Sequence, residues 1–457
     1  MNKVMVCASF AFGMINCIYA QHLPKPNFVL FIADDCSHYD LGCYGNVDSQ
    51  TPHIDEFARQ GMRFTKAYQA VPMSSPTRHN LYTGLWPVRS GAYPNHTCAD
   101  EGTISIVHHL QPLGYKVALI GKSHIAPKSV FPFDLYVPDN NNQELNFRAI
   151  HEFIVDCRKK GQPFCLFVAS KQPHTPWNKG DASLFNPKKI TLPPMYVDIP
   201  KTRQQFTKYL AEINYMDWEF GKLLSILDKE GVADKSVVTY LSEQGNSLPF
   251  AKWTCYDAGV HSACIIRWPQ VIKPGSVSDA LVEYVDMVPT FIDIAGGKPQ
   301  MRLDGKSFKR VLTGKKKKHK KYTFSLQTTR GIIKGSPYYG IRSVSDGRYR
   351  YIVNLTPNAT FRNTEVESPL FKEWQRIAET DIHAKVVTTK YQRRPAIELY
   401  DVPNDPYCMN NLAEDNKYSR MIRHLDKELK RWMKYCGDEG QLTEMRALEH
   451  MAKGKDE

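Results

Sequence analysis

A serine at position 74 opens the segment Ser-Ser-Pro-Thr-Arg-His-Asn-Leu-Tyr-Thr-Gly, with Pro76 two places on, Arg78 four places on and Thr83-Gly84 at its end. Proline suits the first turn of a helix, where its missing N–H costs nothing. Ser74 is therefore expected just before a helix N-terminus, with free amides and the positive end of the helix dipole directed at an anion. The chemistry this suits is attack on a negatively charged group by a small nucleophile at position 74. Ser-x-Pro alone begins many plain capped helices, and the added requirement for Arg78 and Thr83-Gly84 sets this segment apart from them.

Four short apolar runs elsewhere are each followed at once by residues suited to a doubly charged anion. Phe28 to Ala33 delivers Asp34-Asp35, Tyr115 to Ile120 delivers Lys122 and His124, Phe164 to Ala169 delivers His174, and Val237 to Leu241 delivers Glu243-Gln244. Ligands gather at the carboxyl ends of strands in open α/β sheets, so these residues are expected to meet there. Two adjacent carboxylates repel each other, and a hard cation is one way to keep both ionised. Glu243 and Gln244 add oxygen donors. An all-oxygen set without His or Cys points to calcium or magnesium over zinc, with calcium favoured by the flexible carboxylate geometry.

The elements that must position these groups can be read in outline. Apolar runs alternate with helical patterns from residue 27 to about 300, which argues for a largely parallel sheet covered on both faces; Ala263 to Trp268 supplies a further run. Phe206, Leu210, Ile213, Phe220, Leu223 and Leu227 keep helical spacing, predicting one long amphipathic helix over Gln205 to Lys229. Lys315 to Tyr322 marks a boundary. Beyond it, Tyr338 to Val344 and Arg348 to Asn354 are joined through Asp346-Gly347 as a hairpin. Ile397 to Tyr400 follows, then a helix with Met421, Leu425, Leu429 and Trp432 on one face. The expected fold class is α/β: a large mixed, mainly parallel sheet sandwiched by helices over residues 21–322, and a small C-terminal α+β unit with an antiparallel sheet over 323–440. Residues 441–457 are expected as a charged tail, frayed or helical at the surface.

The chain has 457 residues, 42% of them hydrophobic, enough for a sizeable core. Residues 1–20, with Lys3 before the apolar run Val4 to Tyr19, predict a signal peptide, hence an exported, mature chain starting near Gln21. Cys17 would allow lipid attachment, but Met14-Ile15-Asn16 is a poor context for it. No later stretch is long and apolar enough to span a bilayer. Eleven cysteines less Cys7 and Cys17 leave nine, an odd number, without Cys-x-x-Cys zinc spacing; buried free thiols are the default, and a Cys408 to Cys436 bridge cannot be deduced from sequence. The net charge of +13 suits an anionic substrate, although part of it lies in Lys315 to Lys321, expected as a solvated loop. No nucleic-acid-binding module is visible.

Taken in order and spacing, Asn27 to Asp35, Thr51-Pro52-His53-Ile54-Asp55, Ser74 to Gly84, Gly121-Lys122-Ser123-His124, Pro173-His174-Thr175-Pro176, Glu398 to Asp401 and Asp405-Pro406 resemble formylglycine-dependent sulfatases, with an alkaline-phosphatase-like fold, over almost the whole mature chain. Ile120 to Pro127 with Phe131 to Asp134, and Ile341 to Val344 with Ile352 to Leu355, are most similar to the heparan N-sulfatase (N-sulfoglucosamine sulfohydrolase) branch. The resemblance implies oxidation of Ser74 to formylglycine and ligation of one Ca2+ by Asp34, Asp35, Glu243, Gln244 and the modified Ser74. It implies that Arg78 steadies the formylglycine, that Lys122 and Lys252 hold sulfate oxygens, and that His174 protonates the leaving group while His124 takes a proton from the hydrated aldehyde. A serine at this position resembles the form matured by an anaerobic radical maturase, which implies a periplasmic bacterial enzyme. The implied substrate is a sulfated saccharide such as a glycosaminoglycan, with N- or O-sulfate left open. A phosphatase or phosphonate hydrolase of the same superfamily and a non-catalytic sulfated-glycan binder are the alternatives. Two departures stand out: the family's usual Asp followed by Asn or His is Glu243-Gln244 here, each longer by a methylene, and Lys252 replaces an arginine, losing a bidentate fork.

Overall fold

The computed structural model describes residues 25–140 and 142–451. The leader expected over 1–20 lies outside the described residues. The large sheet is built from β1 (Asn27–Cys36), β2 (Met62–Tyr68), β3 (Lys116–Gly121), β4 (Leu135–Val137), β5 (Phe164–Ala169), β6 (Ser236–Gln244), β7 (His261–Arg267), β8 (Ser276–Ser278) and β9 (Val282–Glu283). Its order is β4-β3-β5-β1-β6-β7-β2-β8, with β9 also beside β2. The pairs from β4 to β6 are parallel, whereas β7 runs antiparallel to both β6 and β2. The sheet is thus mixed and mainly parallel, and the run Ala263 to Trp268 belongs to its antiparallel part.

Alternation along β1 shows why the run is apolar throughout. Val29, Phe31 and Ala33 face one core, shared with Phe206, Leu210, Phe220 and Leu223 of the long helix. Phe28, Leu30 and Ile32 face the other, with Leu81 and Tyr82 of the helix that Ser74 begins and Phe291 and Ile292 behind them. Each such side chain contributes about 1.5–3 kcal/mol by leaving water. The long helix spans Pro200–Lys229, starting earlier than its apolar spacing indicates because Pro200 sits in its first turn.

The second sheet has β10 (Thr323–Thr328), β11 (Gly340–Ser345), β12 (Tyr349–Asn354) and β13 (Ile397–Asp401), all antiparallel in sequential order. Asp346 Oδ1 accepts from the amides of Arg348 (2.9 Å) and Tyr349 (2.7 Å), closing the hairpin read from Asp346-Gly347. Leu425, Leu429 and Trp432 of the helix Ser419–Cys436 are buried, and Trp432 stacks on Phe324 and meets Trp86 edge-on. Trp86 follows the Ser74 helix, so this unit braces that helix.

Three expectations change. Helices Pro369–Ile377 and Ile382–Gln392 fill a stretch that carried no assigned element. The Lys315 to Lys321 run is not all solvated: Lys320 pairs with Glu283 (2.5 Å) and Asp286 (2.9 Å), and His319 lies 3.2 Å from Asp286. The segment expected as a surface tail carries Glu444, fully buried on Arg342 (2.9 Å), and Met451 pairs with Thr97. Cys408 and Cys436 are buried free thiols, not a disulfide.

Candidate active site

The carboxyl ends of β1, β3, β5 and β6 meet the N-terminus of the helix Ser74–Thr83, as their sequence positions require. Ser74 is itself the first helical residue, one place later in the helix than expected, and is almost wholly buried. Its Oγ donates to Asp34 Oδ1 (2.8 Å) and accepts from Lys122 Nζ (3.1 Å) and Gln244 Nε2 (2.5 Å). Lys122 also pairs with Asp34 Oδ2, and Lys252 Nζ and Ser247 Oγ both donate to Asp35 Oδ2 at 2.7 Å. His174 Nδ1 donates to Thr175 O (2.6 Å), which leaves Nε2 facing Asp35 at 3.7 Å.

Backbone strain holds this arrangement. Asp35 (φ 62°), His124 (φ 53°) and Gln244 (φ 46°) lie in the left-handed region that side chains disfavour, as residues at functional sites often do. Gly121 (φ 104°) must be glycine, since a Cβ would lie 2.2 Å from Ala169 O and push β3 off β5 just before Lys122. The β5 loop is pinned by Asp34 N–H donating to Gln172 O (2.9 Å), and by Ser170, whose hydroxyl donates to Glu219 Oε2 (2.6 Å) while its oxygen accepts from Gln172 N–H (2.9 Å). His79 ties the nucleophile helix to the His124 turn, with Nδ1 2.7 Å from Ser75 O and Nε2 2.9 Å from Ala126 O.

Electrostatics favour anion binding. Burial alone would raise the Asp34 carboxyl, but Lys122, His174, Arg78 and Lys252 together hold it well below the usual range. Burial pulls the Lys122 ammonium down, with Asp34 opposing. His124 is well below the usual imidazole value through burial and then Lys122 and His96, and His174 is lowered by burial and then Lys252. Both imidazoles are therefore neutral near pH 7 in this state.

Arg78 does not touch Ser74. Its Nε and Nη2 donate to Glu243 Oε1 at 2.9 and 2.5 Å, and Nη1 donates to Lys122 O at 2.6 Å. Burial pushes the Glu243 carboxyl up to about 8, with Arg78 opposing. Arg78 therefore fixes Lys122 and Glu243, which in turn frame Ser74.

Among the described residues no three His, Cys, Asp or Glu side chains are grouped to hold a metal, because Glu243 is turned onto Arg78 and the remaining donors, Gln244 and Ser74, are neutral. The site nonetheless has the chemistry of a cation cradle. Asp34 Oδ1, Asp35 Oδ1 and Ser74 Oγ converge on a single atom, Gln244 Nε2, at 2.8, 2.9 and 2.5 Å. Gln244 Oε1 and Glu243 Oε2 are buried with no hydrogen-bond partner. Two orphaned acceptors beside two carboxylates ask for positive charge, and turning the Gln244 amide over would offer its oxygen in place of its nitrogen.

Sequence reasoning missed four contributors. Ser247 and Gln69, whose Oε1 accepts from Gln244 N–H (3.0 Å), hold the β6 end. His96 Nδ1 lies 3.0 Å from His124 Nε2. Glu365 comes from the second unit, and its carboxyl is raised to about 8 by burial, with Lys252 opposing. Ser247, three residues past Gln244, was open to inference from its place after a strand end; the others have no local signal.

A helix N-terminus, two lysines and a carboxylate pair meet at the carboxyl ends of strands in a mixed α/β sheet, an arrangement suited to binding an oxyanion, and comparison with known proteins narrows its class. The sulfatase family model matches residues 26–297, and the model for the C-terminal part of N-sulphoglucosamine sulphohydrolase matches residues 245–360. The chain belongs to the sulfatase family, with support for its N-sulfoglucosamine branch. It is 32% identical to an ulvan-active sulfatase of Formosa agariphila, over 91% of this chain and 81% of that protein, and 26% identical to human N-sulphoglucosamine sulphohydrolase, over 89% of each. A structure solved with its substrate D-glucosamine-2-N,6-O-disulfate superposes with a TM-score of 0.71 at 20% identity, covering 91% of this chain and 99% of that one, and so shows the shared fold. No helix among the described residues is long and apolar enough to cross a membrane.

Proposed function

We propose that this protein is an exported, exo-acting sulfatase that removes sulfate from a sulfated saccharide of the glycosaminoglycan or ulvan kind, with position 74 matured to formylglycine. The observation that carries the reading is Ser74 Oγ, buried at a helix N-terminus within hydrogen-bond reach of Lys122, Asp34 and Gln244. The similarity to N-sulphoglucosamine sulphohydrolase supports a glucosamine N-sulfate among the substrates to be tried. The apolar leader and a serine at 74 support a periplasmic location and an anaerobic radical maturase as partner.

The chain's own groups divide the work. Lys122 and Lys252, each fixed by a carboxylate, are placed to hold sulfate oxygens as charge shifts onto the leaving atom. His174 turns Nε2 toward the cleft, and an arriving sulfate offsets the repulsion from Lys252 that now lowers its proton affinity, so substrate binding readies it as the acid. His124, kept neutral by Lys122 and His96, is suited to accept a proton from residue 74. Asp34, Asp35, Gln244, the free oxygen of Glu243 and residue 74 would hold one Ca2+, which would supply positive charge to the site. Formylglycine, once hydrated, supplies the second hydroxyl through which bound sulfate can be released.

Mass spectrometry of the Ser74 peptide from protein made in an anaerobic host, with a screen of N- and O-sulfated mono- and disaccharides, tests the reading. Loss of two hydrogens at Ser74 together with sulfate release is expected. An intact serine with no release from any sulfated sugar points to the glycan binder, and turnover of phosphonate or phosphate esters alone points to the superfamily alternative. His174→Ala is expected to slow sugar substrates by about 10²-fold or more and an activated aryl sulfate much less, because the latter's leaving group needs no proton. Equal losses on both would remove the acid role.

A further inference from the structure

An arginine on the loop that packs against the His96 turn has no acidic partner among the described residues. β10 runs beside the residues that lead into Ser74: Leu326 N–H donates to Ala70 O (2.8 Å), and Gln327 Nε2 lies 3.7 Å from Met73 Sδ. The chain leaves β10 at Thr328 and enters a loop, 329–338, that seats against the turn bearing His96. Asn95 Nδ2 donates to Gly331 O (3.2 Å), and Gly331 (φ 78°) has no space for a side chain, since a Cβ would lie 2.4 Å from Asn95 O. His96 reaches His124 at 3.0 Å, so the loop abuts the turn next to a proposed proton carrier.

Arg330 sits on this loop with its guanidinium 3.8 Å from the centroid of the Tyr338 ring, and Tyr338 itself is held at φ 51°. Its Nε is buried without a hydrogen-bond partner, and no carboxylate among the described residues pairs with it. The fully buried arginines Arg78, Arg342 and Arg350 are paired with Glu243, Asp438 and Asp257; Arg394 and Arg267 also carry unmet buried nitrogens, but Arg394 lies over the Phe361 ring at 3.9 Å and Arg267 sits at the end of β7 opposite the start of β6, neither on the His96 turn. Stacking fixes the plane of the guanidinium and leaves its N–H edge to face an acceptor. A buried donor left unmet is costly, and Arg330 Nε is such a donor on the loop that abuts the His96 turn.

We propose that Arg330, held on Tyr338, is an anion subsite that takes a second negative group of the glycan, a further sulfate or a uronate carboxylate, while the sulfate to be removed lies at residue 74. The fork of N–H donors matches the paired oxygens of either group. This rests on the sulfatase reading for the identity of the glycan, but not for the binding itself.

The test measures binding by calorimetry to the full chain carrying Ser74→Ala, with and without Arg330→Gln. The probes are glucosamine 6-O-sulfate, glucosamine 2-N,6-O-disulfate, and a disaccharide joining a uronate to a monosulfated glucosamine. Arg330→Gln is expected to weaken binding of the disulfate or of the uronate disaccharide by about tenfold or more, and of the monosulfate less than twofold; which of the two falls identifies the anion. Tyr338→Leu, which keeps the charge but removes its platform, is expected to lose the same discrimination in part, and unchanged melting temperatures show that the loop still folds. Equal weakening on all three probes, or no weakening on any, overturns the subsite. Selective weakening by a chain whose wild type releases no sulfate would leave the subsite standing and sink the sulfatase reading instead; normal sulfate release with no effect of Arg330→Gln would do the reverse.

Discussion

Replacing Ser74 by alanine is expected to lower kcat/KM on the best sulfated saccharide by roughly 10⁴-fold or more, with the fold kept. The loss is large because nothing nearby can substitute. Among the described residues, Ser74 is the only small side chain that touches Lys122, Asp34 and Gln244 at once, and it stands at a helix N-terminus beside Lys122. The cost to stability is limited. Alanine removes three hydrogen bonds, each contributing about 0.5–3 kcal/mol, while Asp34 keeps Lys122 and Gln244, and Asp35 keeps Lys252 and Ser247. Kinetics and thermal melting on the same preparation separate the two effects. A variant that retains activity within tenfold of the wild type would show that residue 74 is not the nucleophile.

How far the sequence foretells this site depends on distance along the chain. Asp34-Asp35, Lys122, His174 and Glu243-Gln244 could be placed together because each follows an apolar run, and runs of that kind form parallel strands whose carboxyl ends coincide. The partner choice within the cluster could not be read. Glu243 was expected to face a cation; its length lets Oε1 reach Arg78, and one oxygen is left for any other role. Arg78 was expected at residue 74 and acts through Glu243 and the Lys122 carbonyl instead. Contributions from the second unit were invisible, since Glu365 and Arg330 lie on irregular loops where no periodicity reports which way a side chain faces. The helices at Pro369–Ile377 and Ile382–Gln392 were missed although Ser368-Pro369 is itself a start signal: Ser368 Oγ accepts from Phe371 N–H at 3.1 Å.

The last segment offers the second large effect. Arg342→Leu is expected to destabilise the protein by about 3–5 kcal/mol, because it strips the partner from two buried carboxylates. Arg342 on β11 is fully buried; its Nε and Nη2 donate to the two oxygens of Asp438, the latter at 3.0 Å, and Nη1 donates to Glu444 Oε1 at 2.9 Å. Burial pushes the Glu444 carboxyl up, with Arg342 opposing, so its removal leaves a group that must take up a proton or escape to water. Escape would carry the C-terminal residues with it. Their hold on the rest of the molecule runs through His450 O, which accepts from Cys98 N–H (2.9 Å) and Thr97 Oγ1 (2.8 Å), beside His96. Denaturant unfolding and limited proteolysis near residue 440 measure the two consequences, and a change below about 1 kcal/mol would mean that the pair contributes little. Neutralising both acids in the same chain, as Arg342→Leu with Asp438→Asn and Glu444→Gln, is expected to recover much of the loss, since the cost lies in the stranded charges more than in the missing bonds. Recovery of folding with sulfate release still impaired would place the C-terminal segment in the support of His96 and His124, a role that its charged composition conceals.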